Sequence, residues 1–268
     1  MPGRVITITS GKGGVGKTTT TANLAVALAL LGRRVTAIDA DIGLRNLDVI
    51  MGMEDRIIYD LVDVVEGSAH LSQALIRDTH LSGLHLLPAS QTREKTSVRP
   101  EDMIALCREL CVDNDFVLVD SPAGIEHGFR NAIAPADDVI IVTTPELAAV
   151  RDADRIIGLL ESSGKGPGRL IVNRIKPDLV KRGDMLDTFD VIEFLAIELL
   201  GVVPEDEAII VSANKGIPVA HGQDARAARA FHNIARRLVG QKVPFMPLFE
   251  EPQSLASRLR RFVGWEKR

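Results

Sequence analysis

Apolar positions along this chain follow two rhythms. Val5 to Thr9, Val35 to Ile38, Leu84 to Leu87, Phe116 to Val119, Val139 to Val142 and Arg169 to Val172 are short, predominantly apolar runs. Runs of that length without clean polar alternation predict strands buried on both faces, as in a parallel sheet. The segments between them keep a helical period. Thr19 to Leu31 carries Leu24, Leu28 and Leu31 and stops at Gly32; Pro100 to Val112 aligns Met103, Leu106 and Leu110; a further helix runs through Val150 to Ile157. Strands alternating with helices predict an α/β fold, a mostly parallel twisted sheet with helices on both faces. A chain of 268 residues is long enough to build an ample core. The expected organisation is one domain over residues 1–243, a proline-containing linker over 244–252 and a short tail over 253–268.

The turn after the first strand changes the picture. Gly11-Lys12-Gly13-Gly14-Val15-Gly16-Lys17-Thr18 matches G-x-x-x-x-G-K-[ST] between a predicted strand and a predicted helix. It is a phosphate-binding loop. Its glycines let the backbone turn N–H groups onto a polyphosphate, and the helix beginning near Thr18 and Thr19 adds its positive end. Lys17 is expected to reach the β- and γ-phosphates of a nucleoside triphosphate, and the Thr18 hydroxyl to ligate the accompanying Mg²⁺. Lys12 is surplus to that task. The backbone already fills the near side of the phosphates, so a second lysine there is expected to point away from its own nucleotide and toward a neighbour.

Two carboxylate sites complete the expected centre. The strand Val35 to Ile38 delivers Asp39 and Asp41 to its carboxyl end, where ligands sit in open α/β sheets. Asp41 is the candidate for orienting the attacking water, and Asp39 for supporting the metal shell or the same water network. The alternative is that the pair caps the turn that follows. Phe116-Val117-Leu118-Val119-Asp120 ends an apolar run in the aspartate that holds Mg²⁺ in phosphate-loop enzymes. Ser121, Pro122, Ala123 and Gly124 behind it form a turn able to respond to the γ-phosphate.

With Lys12 as a second signature lysine, G-K-G-G-V-G-K-T resembles the deviant Walker A ATPases of the MinD/ParA family, a group of P-loop NTPases. Asp39-Ala40-Asp41-Ile42-Gly43-Leu44-Arg45-Asn46-Leu47-Asp48 and Pro88-Ala89-Ser90-Gln91-Thr92-Arg93 are similar to the MinD branch. The resemblance implies ATP and Mg²⁺ as cofactors and a homodimer that sandwiches two ATP molecules, each Lys12 reaching the partner's phosphates. It implies adenine contacts at Asn173 and along Pro204, Glu205 and Asp206. It also implies the division inhibitor MinC and the topological factor MinE as partners. The alternative from the same family is a ParA-type DNA-segregation ATPase.

Charge weighs against that alternative. With 32 basic and 36 acidic residues the chain carries a net −4, which does not fit a body-wide surface for nucleic acid. The two cysteines, Cys107 and Cys111, are expected to be core residues of a cytoplasmic protein, and the six histidines show no ligand spacing. The chain enters its first strand almost at once, so no signal peptide is expected.

Positive charge is concentrated at the far end. Arg258, Arg260, Arg261, Lys267 and Arg268 face only Glu266 between residues 253 and 268. Leu255, Leu259, Phe262 and Val263 form one stripe at helical spacing, with Arg258 and Arg261 at its rim and Trp265 beside it. Such a segment is expected to lie in an anionic bilayer interface, its arginines at the headgroups. Each basic residue contributes on the order of 1 kcal/mol there, so one tail binds weakly and two on a dimer bind by avidity. The expected location is cytoplasmic, peripheral on the inner face of the cytoplasmic membrane.

Overall fold

A computed structural model describes residues 3–247. Eight strands, β1 (Arg4–Thr9), β2 (Val35–Asp39), β3 (Ile76–Arg77), β4 (Leu84–Leu87), β5 (Phe116–Asp120), β6 (Asp138–Thr143), β7 (Arg169–Ile175) and β8 (Glu198–Pro204), form one sheet. Its order is β3-β4-β2-β5-β1-β6-β7-β8, parallel throughout except for the antiparallel edge strand β3. At two residues, β3 is too short to have a periodicity of its own.

Successive side chains of the central strands enter opposite layers. Ile6, Ile8, Leu118, Ile140, Val142 and Ile171 join the core beneath the helices Lys17–Leu30 and Arg226–Leu238. Val5, Val117 and Val119 pack on the opposite face with Met103, Leu106, Cys107 and Leu110 of Pro100–Asp113, and Val139, Ile141 and Val172 with Leu147–Ser162. Each such side chain, fully buried, contributes about 1.5–3 kcal/mol. This two-sided burial is why the strands read as unbroken apolar runs.

The first helix ends as expected. Gly32 takes φ +75° and donates its N–H to the Ala29 carbonyl at 2.9 Å, a left-handed stop that favours glycine. β1 lies between β5 and β6, the point at which the chain stops adding strands on one side and crosses to the other. The turn leaving β1 therefore opens on the crevice where open α/β sheets bind ligands.

The start of the proline-containing segment lies on the body. Arg237 donates to the carbonyls of Val243 and Pro244 at 3.0 and 2.9 Å, and its guanidinium stacks 4.2 Å from the Phe245 ring centre. Arg226 donates to the Pro247 carbonyl at 3.1 Å. Arginine hydrogen bonds hold residues 243–247, which form no helix or strand, along the last helix. Residues 248–268, with the expected membrane stripe, lie outside the described residues. No helix among the described residues is long and apolar enough to cross a membrane.

Candidate functional site

Three strand ends build the site. The phosphate loop leaves β1, Asp39 closes β2 and Asp120 closes β5, and the register places Asp39 directly opposite Asp120. Gly16 precedes the helix at φ +98°, and a Cβ there would stand 2.3 Å from the Asn173 amide nitrogen. The helix Lys17–Leu30 has no side-chain cap and no acidic residue in its first turn, so its leading N–H groups and positive end face an incoming anion.

The two lysines of the loop have opposite environments. Lys17 is buried; burial pulls its pKa down, while the carboxylates of Asp120 and Asp41 oppose that shift. Lys12 is exposed, and its ammonium makes no hydrogen bond or ion pair with the described residues. The loop is braced locally by the Ser10 hydroxyl, which donates to the Lys12 carbonyl at 2.7 Å.

Asp120 is buried and raised in pKa, mainly by loss of solvent and then by the Asp39 charge, with hydrogen bonds from Thr18 and Thr21 opposing the rise. The Thr21 hydroxyl stands 3.0 Å from its Oδ1. Asp39 is raised for the same first reason. Its oxygens hold the following loop: Oδ1 accepts from the Asp41 N–H at 2.9 Å, and Oδ2 from the N–H groups of Asn46 and Leu47, both at 3.1 Å. That is the turn-capping arrangement: Asp39 holds the backbone of the loop that carries Asp41. Two adjoining buried carboxylates, with hydroxyl oxygens beside one of them and one buried lysine nearby, are an oxygen-donor set in negative surplus. Such a set fits a small hard dication such as Mg²⁺.

Asn173 arrives from β7. Its amide nitrogen donates to the Val15 carbonyl at 2.8 Å, while its buried Oδ1 has no partner among the described residues. Glu205 donates its N–H to the Ile175 carbonyl at 2.9 Å. Asp206 is occupied structurally: Oδ1 accepts from the Ala208 N–H at 3.0 Å and Oδ2 from the Ala227 N–H at 3.1 Å, joining two helix starts. Pro204 is buried at the end of β8.

Sequence reasoning missed Thr21 and the backbone of Asp152. Thr21 lies four residues after Lys17 on the same helix face, a signal present but masked by the run of four threonines. Asp152 lies in the helix after β6 with no motif to mark it, yet a Cβ on Gly11 would lie 2.2 Å from its carbonyl oxygen. Of the two cysteines, Cys107 is in the core, where burial raises its thiol pKa far above the usual range, and Cys111 is partly buried against the same cluster. The histidines show no ligand spacing along the chain, yet two of them meet in space. His80 and His221, 141 positions apart, meet beside Asp78 because the edge hairpin and a late turn pack together.

Comparison with known proteins agrees with this geometry. Residues 6–219 match the CbiA family, described as the CobQ/CobB/MinD/ParA nucleotide binding domain. The septum site-determining protein MinD of Bacillus subtilis is 52% identical over 264 residues, covering 98% of each chain. The chain in a MinC:MinD cell division protein complex from Aquifex aeolicus superposes with a TM-score of 0.85 at 47% identity, covering 91% of this chain and 99% of that one. MinD complexed with Mg-ADP from Pyrococcus horikoshii gives 0.79 at 31% identity, covering 88% and 96%. A ParA family ATPase from Chlorobium tepidum is more distant, at 25% identity. The phosphate loop, the paired strand-end aspartates and these likenesses together show that the chain belongs to the CobQ/CobB/MinD/ParA nucleotide-binding family and, within it, to the septum site-determining MinD group of cell-division ATPases.

Proposed function

We propose that this chain hydrolyses ATP to ADP and phosphate as a switch that dimerises on ATP, binds the inner face of the cytoplasmic membrane and carries a MinC-type division inhibitor there. The observation that carries the reading is the division of labour in the phosphate loop, Lys17 buried at the phosphate cradle and Lys12 exposed at its rim. A buried lysine neutralises its own nucleotide; an exposed one is available to a second subunit's.

The residues suggest a sequence of roles. Loop N–H groups, from Gly11 to Thr19, and the helix start cradle the phosphates, and Lys17 balances charge on the β- and γ-phosphates. The Asn173 Oδ1 is free to accept from the adenine amino group, and the backbone from Pro204 to Asp206 borders the same end of the sheet. Thr18 and Asp120 would hold Mg²⁺, which would supply neutralising charge to the phosphate oxygens. Asp41 orients the water that attacks the γ-phosphorus as the bond to the bridging oxygen breaks. Asp39 keeps the Asp41 loop in place through its three N–H bonds. Lys12 of the partner subunit stabilises charge developing on the transferred group.

The Aquifex complex supports the MinC-type partner. Release by a MinE-type stimulator extends the same cycle, since loss of the γ-phosphate removes the bridge between subunits. Membrane attachment rests on the basic, apolar-striped tail. Its test uses Trp265, the single tryptophan. With anionic vesicles, its emission is expected to shift to the blue in Mg-ATP and not in Mg-ADP; equal emission in the two states refutes nucleotide-controlled attachment.

A further inference from the structure

Outside the nucleotide site, and among the described residues, the fold assembles one group of metal-ligating side chains that are distant in sequence. Asp78 follows β3 and donates its N–H to the carbonyl of Leu84, the first residue of β4. This is the amino end of the parallel strands, whereas the phosphate loop lies at their carboxyl end. His80 lies two residues on, in the same hairpin. His221 ends the turn Val219–His221, which is tied to the first helix by the Ala220 N–H donating to Asn23 Oδ1 at 2.9 Å.

We propose that Asp78, His80 and His221 form a site for a divalent transition-metal ion of the zinc type, with water completing its shell. One ligand atom from each lies within 4.8 Å of the other two. Around a single zinc ion such atoms stand roughly 3.4 Å apart, and His80, largely exposed, has the rotational freedom to close the difference. The carboxylate is held in place: Asp78 is buried, and its Oδ1 accepts from the N–H groups of His80 and Leu81, both at 2.7 Å. The two imidazoles already meet edge to face with centres 5.4 Å apart.

Two nitrogens and one carboxylate oxygen select zinc-type ions over Mg²⁺, which prefers oxygen ligands throughout. The site is therefore chemically separate from the oxygen donors around Asp120. An ion here joins the edge hairpin to a turn about 140 residues later and stabilises the sheet edge by closing a long loop.

The test titrates Zn²⁺ into untagged, chelator-stripped full-length protein without nucleotide, in competition with a chromophoric chelator, and follows thermal unfolding alongside. One equivalent is expected to bind and, at about 100-fold excess over its Kd, to raise the melting temperature by roughly 5–10 °C. His80→Ala and His221→Ala are each expected to weaken binding at least tenfold, while His70→Ala, an exposed histidine elsewhere, leaves it intact. His80→Ala removes an exposed ring, so retained far-ultraviolet circular dichroism and unchanged basal ATP turnover verify its fold. Absence of binding in the native chain, or undiminished binding in either His80→Ala or His221→Ala, overturns the proposal.

Discussion

Truncating Lys12 to alanine separates an exposed cation's structural worth from its catalytic worth. The side chain is exposed and makes no polar contact with the described residues. Its removal should therefore change folding stability by no more than about 0.5 kcal/mol. Nucleotide affinity of the isolated subunit should stay within a few-fold, because Lys17 and the loop N–H groups remain. If Lys12 acts on the partner's phosphates as a cation supplied in trans, stimulated turnover falls by about 10³–10⁵, or about 4–7 kcal/mol of transition-state stabilisation. Mixing distinguishes trans from cis action. In a two-fold dimer of one Lys12→Ala and one Asp41→Ala chain, the first chain's site keeps its own Asp41 and receives the partner's lysine, while the other site lacks both. Equimolar mixing of these two inactive variants should restore about a quarter of native turnover, from half the dimers each with one working site. Turnover in the mixture no greater than in either variant alone would refute action across the interface.

Three further outcomes follow from the same geometry. Asn173→Ala removes the donor to the buried Val15 carbonyl at 2.8 Å and should cost about 1–3 kcal/mol in denaturant unfolding while weakening binding of a fluorescent ATP analogue; an unchanged midpoint and affinity would disconnect β7 from the loop. Gly11→Ala places a methyl 2.2 Å from the Asp152 carbonyl oxygen, so the loop or the neighbouring helix must move; a melting temperature and nucleotide affinity equal to native would show that the contact is slack. Burial lifts the Asp120 pKa from 3.8 to about 7, so between those values the folded chain holds a proton that the unfolded chain has lost. Stability without nucleotide should therefore fall as pH rises through that window, and the melting temperature of Asp120→Asn should fall less between pH values of about 5 and 7; equal slopes in the two proteins count against a strained buried carboxylate.

The sequence by itself determined the phosphate loop, the strands leading into it and into Asp120, and the α/β architecture with helices on both faces of the sheet. These are local matters. Eight consecutive residues specify the loop's backbone, and a strand buried on both faces needs only an apolar run to be legible. Gly32 ending the first helix and Met103, Leu106 and Leu110 facing the core were legible for the same reason.

Only the tertiary structure decided which distant groups meet. That β2 lies beside β5 places Asp39 against Asp120 and leaves two carboxylates buried together. β7 delivers Asn173 to the Val15 carbonyl across 158 positions, and the helix after β6 brings the Asp152 backbone against Gly11. Asp39 could be placed at the site from its strand end, but whether it faced water or the following N–H groups depended on how residues 41–47 folded back over it. Six scattered histidines carried no pattern, yet the antiparallel turn at β3 brings His80 to His221. A motif is legible when neighbours in the chain perform it; contacts made by strand order and packing are written in no single stretch of the chain.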